Sequence, residues 1–255
     1  MMSKRALRTI VSAFSGLALL SGVALAAEFT PAQKKEIEQI IRGYLLDHPE
    51  ILTEMVDKLE KRQKAAKRAQ EKAVISAHAD ALFRSGGDLV IGNPEGKVAM
   101  VEFFDYNCGF CKRSLPDVIK LKETNPDLKI IIKEFPILGP GSMEAARYAL
   151  AARKQGMDKY WKLHAALLKH RGQVNGDVVL KVAKEVGLDV EKLKQDAKSA
   201  EIDKTLDLNL SLANALGIRG TPAFVIGDKL VPGALGYKKL NAVISEVRKK
   251  GCKVC

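Results

Sequence analysis

Little in this sequence can hold a metal or stack a nucleic-acid base. Its thiol and imidazole groups come from four cysteines and four histidines. His48, His78, His164 and His170 fall at no ligand spacing from any cysteine, so they read as ordinary helix residues and no mixed Cys/His zinc site is expected. There is no internal repeat. Mid-chain glycines and prolines are too scattered to mark a long flexible linker. Beyond residue 26 no apolar run is long enough to cross a bilayer. One segment is strongly basic, Lys58 to Lys72, with seven basic residues against two acids, but no aromatic residue is interleaved with them. Without aromatics to stack single-stranded bases, a solvated helical linker is the simpler reading and no nucleic-acid partner is expected.

The first 26 residues have the layout of an export signal. Lys4, Arg5 and Arg8 precede a mostly apolar stretch from Ile10 to Leu25, and Ala24-Leu25-Ala26 forms an A-x-A cleavage site. Ser12, Ser15, Ser21 and the small residues weigh against the alternative, an uncleaved anchor. Cleavage would remove three basic residues and no acid, lowering the net charge from +12 to +9. Export also sets the redox setting, because disulfides form and persist outside the cytosol.

The rest is organised around Val98 to Pro116, VAMVEFFDYNCGFCKRSLP. An apolar run, Val98 to Phe104, fits a buried strand, and after Asp105-Tyr106-Asn107 comes Cys108-Gly109-Phe110-Cys111 with a helical continuation. A C-x-x-C pair where a strand hands over to a helix predicts thiol chemistry. Cys108 at the helix N-terminus is favoured as a thiolate, the form that attacks a disulfide. Cys111, one turn on, can resolve the mixed disulfide that results. The competing readings of such a pair are a structural disulfide and a metal site.

Three further features make the stretch resemble the thioredoxin superfamily: Lys112 after the second cysteine, Pro116 five beyond it, and Gly220-Thr221-Pro222-Ala223-Phe224. The resemblance implies that Pro222 is cis and that Thr221-Pro222 faces the cysteines, offering backbone to an extended substrate. It implies that Gly109 and Phe110 help to set the redox potential, Gly-Phe and Thr221 being nearer the isomerase pattern than the strong-oxidase one. It also implies a buried proton-shuttling acid at Glu102, paired with Lys133, which would need a raised pKa. The alternative for Glu102 is an ordinary sheet-edge glutamate, and for Pro222 a turn proline opening an edge strand.

Along the chain, Thr30-Pro31-Ala32-Gln33 signals a helix start. Ile37, Ile40, Ile41, Tyr44 and Leu45 share one face, and after Asp47-His48-Pro49-Glu50 the face continues with Ile51, Leu52, Met55, Val56 and Leu59. Such a segment cannot bury its stripe on itself; it must pack on the domain or on copies of itself. Strands are expected at Leu89–Ile91, Val98–Phe104, Lys129–Phe135, Phe224–Ile226 and Lys229–Val231, with a closing helix carrying Leu240, Val243, Ile244 and Val247. A plain βαβ crossover takes roughly 15–25 residues. Pro222 instead lies 87 residues beyond Phe135 (222 − 135), and the excess reads as helices from Ala145 to Leu216.

That insertion narrows the resemblance to the DsbA family, carried by EFFDYNCGFC, KEFPILG and GTPAFVIGDKLVPGA. FTPAQKKEIEQIIRGYLLDHPEIL further resembles the N-terminal oligomerisation segment of ScsC-like proteins, a branch linked to copper tolerance. The expected organisation is an α/β thioredoxin fold with an inserted helical subdomain, preceded by a helical stalk. In residues this is a signal peptide at 1–26, an oligomerisation stalk and linker at 27–75, a catalytic domain at 76–251 with its insertion at about 141–216, and a CKVC tail at 252–255.

The expected function is an exported, periplasmic thiol–disulfide oxidoreductase, an oligomeric isomerase or reductase needing no cofactor beyond a Cys108–Cys111 disulfide. Its expected partners are cysteine-containing exported proteins, a membrane or periplasmic redox partner, and copies of itself joined through residues 27–60. A dithiol oxidase and a copper-binding protein using both C-x-x-C pairs are the alternatives. For Cys252 and Cys255 the plain expectation is a small disulfide in a mobile tail; a relay to the active site and a soft-metal clamp are the sharper ones.

Overall fold

The computed structural model describes residues 28–255; the expected signal at 1–26 lies outside them. The chain divides into two compact units with the boundary between Leu59 and Glu60.

In the first unit, α1 (Pro31–Asp47) opens as its sequence dictates. The Thr30 side chain accepts the Gln33 backbone N–H at 3.3 Å, the Gln33 side chain accepts the Thr30 backbone N–H at 2.9 Å, and Pro31 occupies the first helical turn. The helix closes where the His48 N–H bonds to the Tyr44 carbonyl, and α2 (Glu50–Ala77) begins two residues later. The apolar face is present and uncovered: Ile40 is 64 % exposed, Tyr44 57 %, Leu52 69 % and Met55 60 %.

The second unit is built on a five-stranded sheet of order β1-β3-β2-β4-β5. The strands are β1 (Leu89–Gly92), β2 (Val98–Phe104), β3 (Leu128–Glu134), β4 (Ala223–Ile226) and β5 (Lys229–Pro232). Strands β2 and β3 are parallel, and every other neighbouring pair is antiparallel. β2 is central and wholly buried, which is why it reads as a continuous apolar run rather than an alternating one.

The pleat sends successive β2 side chains to opposite faces. Met100 and Phe104 face a large core shared with Leu115, Val118 and Leu121 of α4 (Gly109–Thr124) and Leu240 and Ile244 of α10 (Tyr237–Lys250). The same core includes residues of α5 (Pro140–Ala152), α6 (Met157–Lys169), α7 (Gly176–Glu185) and α8 (Val190–Asp196). Val101 and Phe103 face the other way, onto Leu82 and Phe83 of α3 (Ala79–Phe83), Ile75 at the end of α2, and Leu212 and Ala213 of α9 (Ala200–Ala215). α9 starts in the first core with Ile202 and Leu206 and ends in the second.

The helices α5 to α9 are the expected insertion. The domain begins earlier than the expected start near Ile75, because the end of α2 is part of its packing: Ile75 is fully buried and Lys72 pairs with Asp228 at 2.8 Å.

The Cys252–Cys255 disulfide forms, but the tail that carries it is held rather than mobile. Arg84 donates to the carbonyls of Val254 and Cys255 at 3.1 and 2.9 Å, and Cys255 Sγ accepts the Ala99 N–H at 3.1 Å. Ala99 stands at the start of β2, whereas Cys108 follows its far end. That placement removes the geometric basis for a relay between the two pairs.

Candidate active site

Cys108 is the N-cap of α4 and Cys111 lies in its first turn. The turn feeding them is bolted to the helical insertion. Asp105 Oδ2 accepts the N–H groups of Ile137 and Leu138 at 2.9 and 3.0 Å. Its Oδ1 accepts the Asn107 N–H at 2.7 Å and the Ser142 hydroxyl at 2.8 Å. Asn107 exchanges two hydrogen bonds with the Val174 backbone, at 2.7 and 2.9 Å. Between them Tyr106 is buried, donating to Glu134 Oε1 at 3.0 Å and lying 3.2 Å from His164 Nδ1. Tyr160 donates to the same Glu134 oxygen at 3.0 Å. Lys112 reaches the carbonyls of His170 and Gly172 at 2.9 and 2.8 Å.

His164 is therefore no ordinary helix residue: burial holds it neutral, with its pKa pushed down to about 3. The other three histidines lie at helix ends, His48 and His170 as C-caps and His78 as an N-cap. Sequence reading missed Asp105, Asn107, Glu134 and Lys112 as positioning groups. The one available signal was a polar D-Y-N turn wedged between a buried strand and C-x-x-C.

Opposite the cysteines, the Thr221–Pro222 bond is cis and the Cys108 thiol lies 3.1 Å from the Thr221 carbonyl. The structure thus brings Cys108, Cys111, Thr221 and Pro222 together, as expected. Phe110 is 59 % exposed beside them, with the Arg113 guanidinium 4.3 Å over its ring. A cavity of about 450 Å³ runs from Phe110 along Arg219, Thr221 and Pro222 to Leu230 and Gly233.

The two thiols are both free and differ sharply. The hydrogen bond from Cys111 is the main cause that lowers the Cys108 pKa, to about 5; burial opposes it, while Thr221 and the backbone of Cys111 and Phe110 assist. Burial pushes the Cys111 thiol far above the ordinary thiol range, aided by its hydrogen bond to Cys108 and the charge of Glu102. At neutral pH Cys108 is therefore a thiolate and Cys111 a thiol.

Glu102 lies in the central strand, so it is not a sheet-edge glutamate; it is 3 % exposed. Burial first, and the Cys108 charge second, raise its pKa to about 8. Its expected partner is elsewhere. Lys133 binds Asp88 at 2.6 Å, with Ser85 at 3.0 Å and Asn209 at 3.4 Å. The register explains the miss, because Glu102 stands opposite Ile132 and Lys133 opposite Phe103, which places the acid and the amine on opposite faces of the sheet.

Residues 99–245 match the DSBA-like thioredoxin domain, and residues 33–66 match the copper resistance protein ScsC N-terminal domain. A thioredoxin-like oxidoreductase from Silicibacter pomeroyi is 45 % identical, covering 67 % of this chain and 97 % of its own, with a TM-score of 0.65. Proteus mirabilis ScsC in a transitional conformation is 33 % identical over 87 % of this chain and 98 % of its own, with a TM-score of 0.65. The thiol-disulfide exchange protein alpha-DsbA2 from Wolbachia pipientis is 32 % identical over 71 % of this chain and 98 % of its own, with a TM-score of 0.68. Curated relatives that match include Na(+)/H(+) antiporters of the NhaA type. The one from Salinispora tropica is 24 % identical over 62 % of this chain, and the match spans only 24 % of the antiporter. No helix among the described residues is long and apolar enough to cross a membrane. A strand-to-helix thiol pair set against a cis Thr-Pro, on a sheet interrupted by five helices, agrees with these matches, and the chain belongs to the DsbA-like thioredoxin-domain family as a thiol–disulfide oxidoreductase of the DsbA and ScsC type.

Proposed function

We propose that the protein is an exported, periplasmic disulfide isomerase or reductase that acts on cysteine-containing client proteins and works as an oligomer. Cys108 is the nucleophile and Cys111 the resolving thiol. Thr221 and Pro222 receive the client backbone, Gly109 and Phe110 border it, and Glu102 takes and returns the Cys111 proton. A membrane or periplasmic redox partner resets the pair, and no bound cofactor takes part. The observation that carries this reading is the division of labour between the thiols: a Cys108 pKa of about 5 beside a Cys111 that stays protonated.

The step is a thiolate displacement. Cys108 Sγ attacks a client disulfide, one client sulfur leaves, and the resulting mixed disulfide is either resolved by Cys111 or displaced by another client thiol. With Cys111 protonated, resolution needs a base. Glu102, buried and with a pKa raised to about 8, is chemically suited to that proton. Oligomerisation through residues 27–60 is supported by the uncovered apolar face of α1 and α2. The deciding experiment is refolding of a scrambled-disulfide substrate, compared with oxidation of a dithiol peptide.

One observation favours the oxidase alternative. A thiolate stabilised at about pH 5 stabilises the reduced form, and so makes the corresponding disulfide more oxidising. Fast dithiol oxidation with no isomerisation would establish that reading.

A further inference from the structure

The second C-x-x-C has a chemical setting of its own. Cys252 lines a pocket of about 100 Å³ with Lys72, Asp228, Lys229, Lys250 and Lys253. Glu246, which pairs with Lys229 and Lys250, is the other acid nearby. Three of the four lysines are ion-paired, Lys72 with Asp228 and both Lys229 and Lys250 with Glu246, and with Lys253 the set of four lysines against two acids leaves a positive excess beside the half-buried Cys252. Both sulfurs also already hold a backbone donor: Cys255 N–H lies 3.2 Å from Cys252 Sγ, and Ala99 N–H 3.1 Å from Cys255 Sγ. These donors sit where negative charge would develop if the disulfide opened, which favours the thiolate form of each cysteine. The volume admits the head of a small thiol rather than a packed protein loop.

We propose that Cys252–Cys255 is a second exchange-competent disulfide, open to small anionic thiols of the glutathione class and separate from the Cys108 site. The small thiolate's sulfur bonds to Cys252 Sγ as the Cys252–Cys255 bond breaks. The electron pair remains on Cys255 Sγ, facing the Ala99 N–H. A second small thiolate then attacks the small-thiol sulfur of the mixed disulfide, releasing the symmetrical small disulfide and leaving Cys252 as a thiolate. Two electrons pass from two small thiols to the tail, and the protons those thiols shed go to solvent. The positive excess around Cys252 raises the local concentration of an anionic thiol.

The test uses protein carrying Cys108→Ser and Cys111→Ser, so that only the tail reacts. Alkylation followed by intact mass measures reduction by glutathione and by cysteamine, a cationic thiol, at matched thiolate concentrations. Glutathione is expected to react several-fold faster at low salt. That advantage should shrink as salt rises, since the screening length falls from about 10 Å at 0.1 M to about 3 Å at 1 M. Lys253→Glu should narrow the gap by slowing glutathione more than cysteamine, with the near-UV spectrum reporting that the fold is kept. A tail disulfide that resists both thiols until the protein unfolds overturns the proposal, as does cysteamine reacting as fast as glutathione at low salt. Neither result touches Cys108, so the client-exchange reading is tested independently.

Discussion

The thiol of Cys108 sits 3.1 Å from the carbonyl oxygen of Thr221, although 113 positions separate them in the chain. A client disulfide that reaches Cys108 therefore meets the backbone leading into β4. The proposed client-backbone contact and the attacking sulfur thus share one place. Main-chain bonding does not depend on the side chains of the bound segment, which is what the client exchange proposed above would require.

Alkylation across pH tests the thiol assignment. Cys108 should react with a midpoint near pH 5 and then plateau through neutrality, with Cys111 unlabelled in the folded protein. Preferential labelling of Cys111, or a Cys108 midpoint near the ordinary thiol value of 9.0, would overturn the assignment. Cys111→Ala should accumulate mixed disulfides with clients, because attack proceeds while resolution does not.

Glu102→Gln separates chemistry from stability. The folded-state pKa of Glu102 is raised from 4.5 to about 8, so the folded protein holds this proton more tightly than the unfolded chain. Stability from this group is full below the unfolded value and is lost as pH rises through about 8. The glutamine variant, which cannot ionise, should be more stable than wild type when both are reduced, by on the order of 5 kcal/mol at pH 9, with little difference at pH 4. Its mixed disulfides should nevertheless resolve roughly a hundredfold or more slowly, general acid–base help being worth about 10²–10⁴-fold. Unchanged resolution across pH would remove Glu102 from the mechanism.

Much of this was readable in the sequence because the signals are local. The wholly buried β2 shows as an apolar run, Thr30 and Gln33 form their cap within four residues, and the cysteines lie at a strand-to-helix handover. What escaped depends on partners distant in sequence. Lys133 meets Asp88 rather than Glu102 because of strand register, and no periodicity within β3 reveals that choice. His164 gains its setting from Tyr106, 58 residues away. The tail looked free because nothing in CKVC indicates that Arg84 and Ala99 hold it.

Asp105→Ala should loosen the catalytic turn. Its carboxylate accepts four hydrogen bonds, from Asn107, Ser142, Ile137 and Leu138. Losing it leaves donors without a partner at about 1–3 kcal/mol for each that water cannot reach. A fall of roughly 3 kcal/mol in stability by denaturant titration is expected, together with a higher Cys108 pKa as the α4 N-terminus loses its placement. A destabilised protein whose Cys108 still titrates near pH 5 would limit Asp105 to a structural role.

Removing residues 27–59 should leave a monomer. Ile40, Tyr44, Leu52 and Met55 are each more than half exposed, and a stripe of that kind in water normally finds a partner. A truncation beginning at Glu60 keeps Lys72 and Ile75, which the domain needs. Light scattering at micromolar concentration should give a multiple of the chain mass for the longer protein and a single chain mass for the truncation. Two monomers would show that the stripe packs within its own chain.

The same truncation distinguishes isomerase from oxidase. An isomerase holds a misfolded client while one thiolate opens a wrong disulfide, then releases the client's own thiols to pair again. Several domains on one stalk raise the concentration of active sites around a single client, to about millimolar for short flexible links. Dithiol oxidation needs only one encounter per disulfide and gains little from this. Residues 27–59 should therefore be required for refolding of a scrambled substrate, while the truncation oxidises a dithiol peptide at the full-length rate or faster. Cys108→Ser should be inactive in both assays. Equal isomerisation by the long and short forms would remove the case for the stalk. Fast oxidation by both with isomerisation by neither would mean that the low Cys108 pKa, rather than the Gly109-Phe110 and Thr221 pattern, reports what the enzyme does.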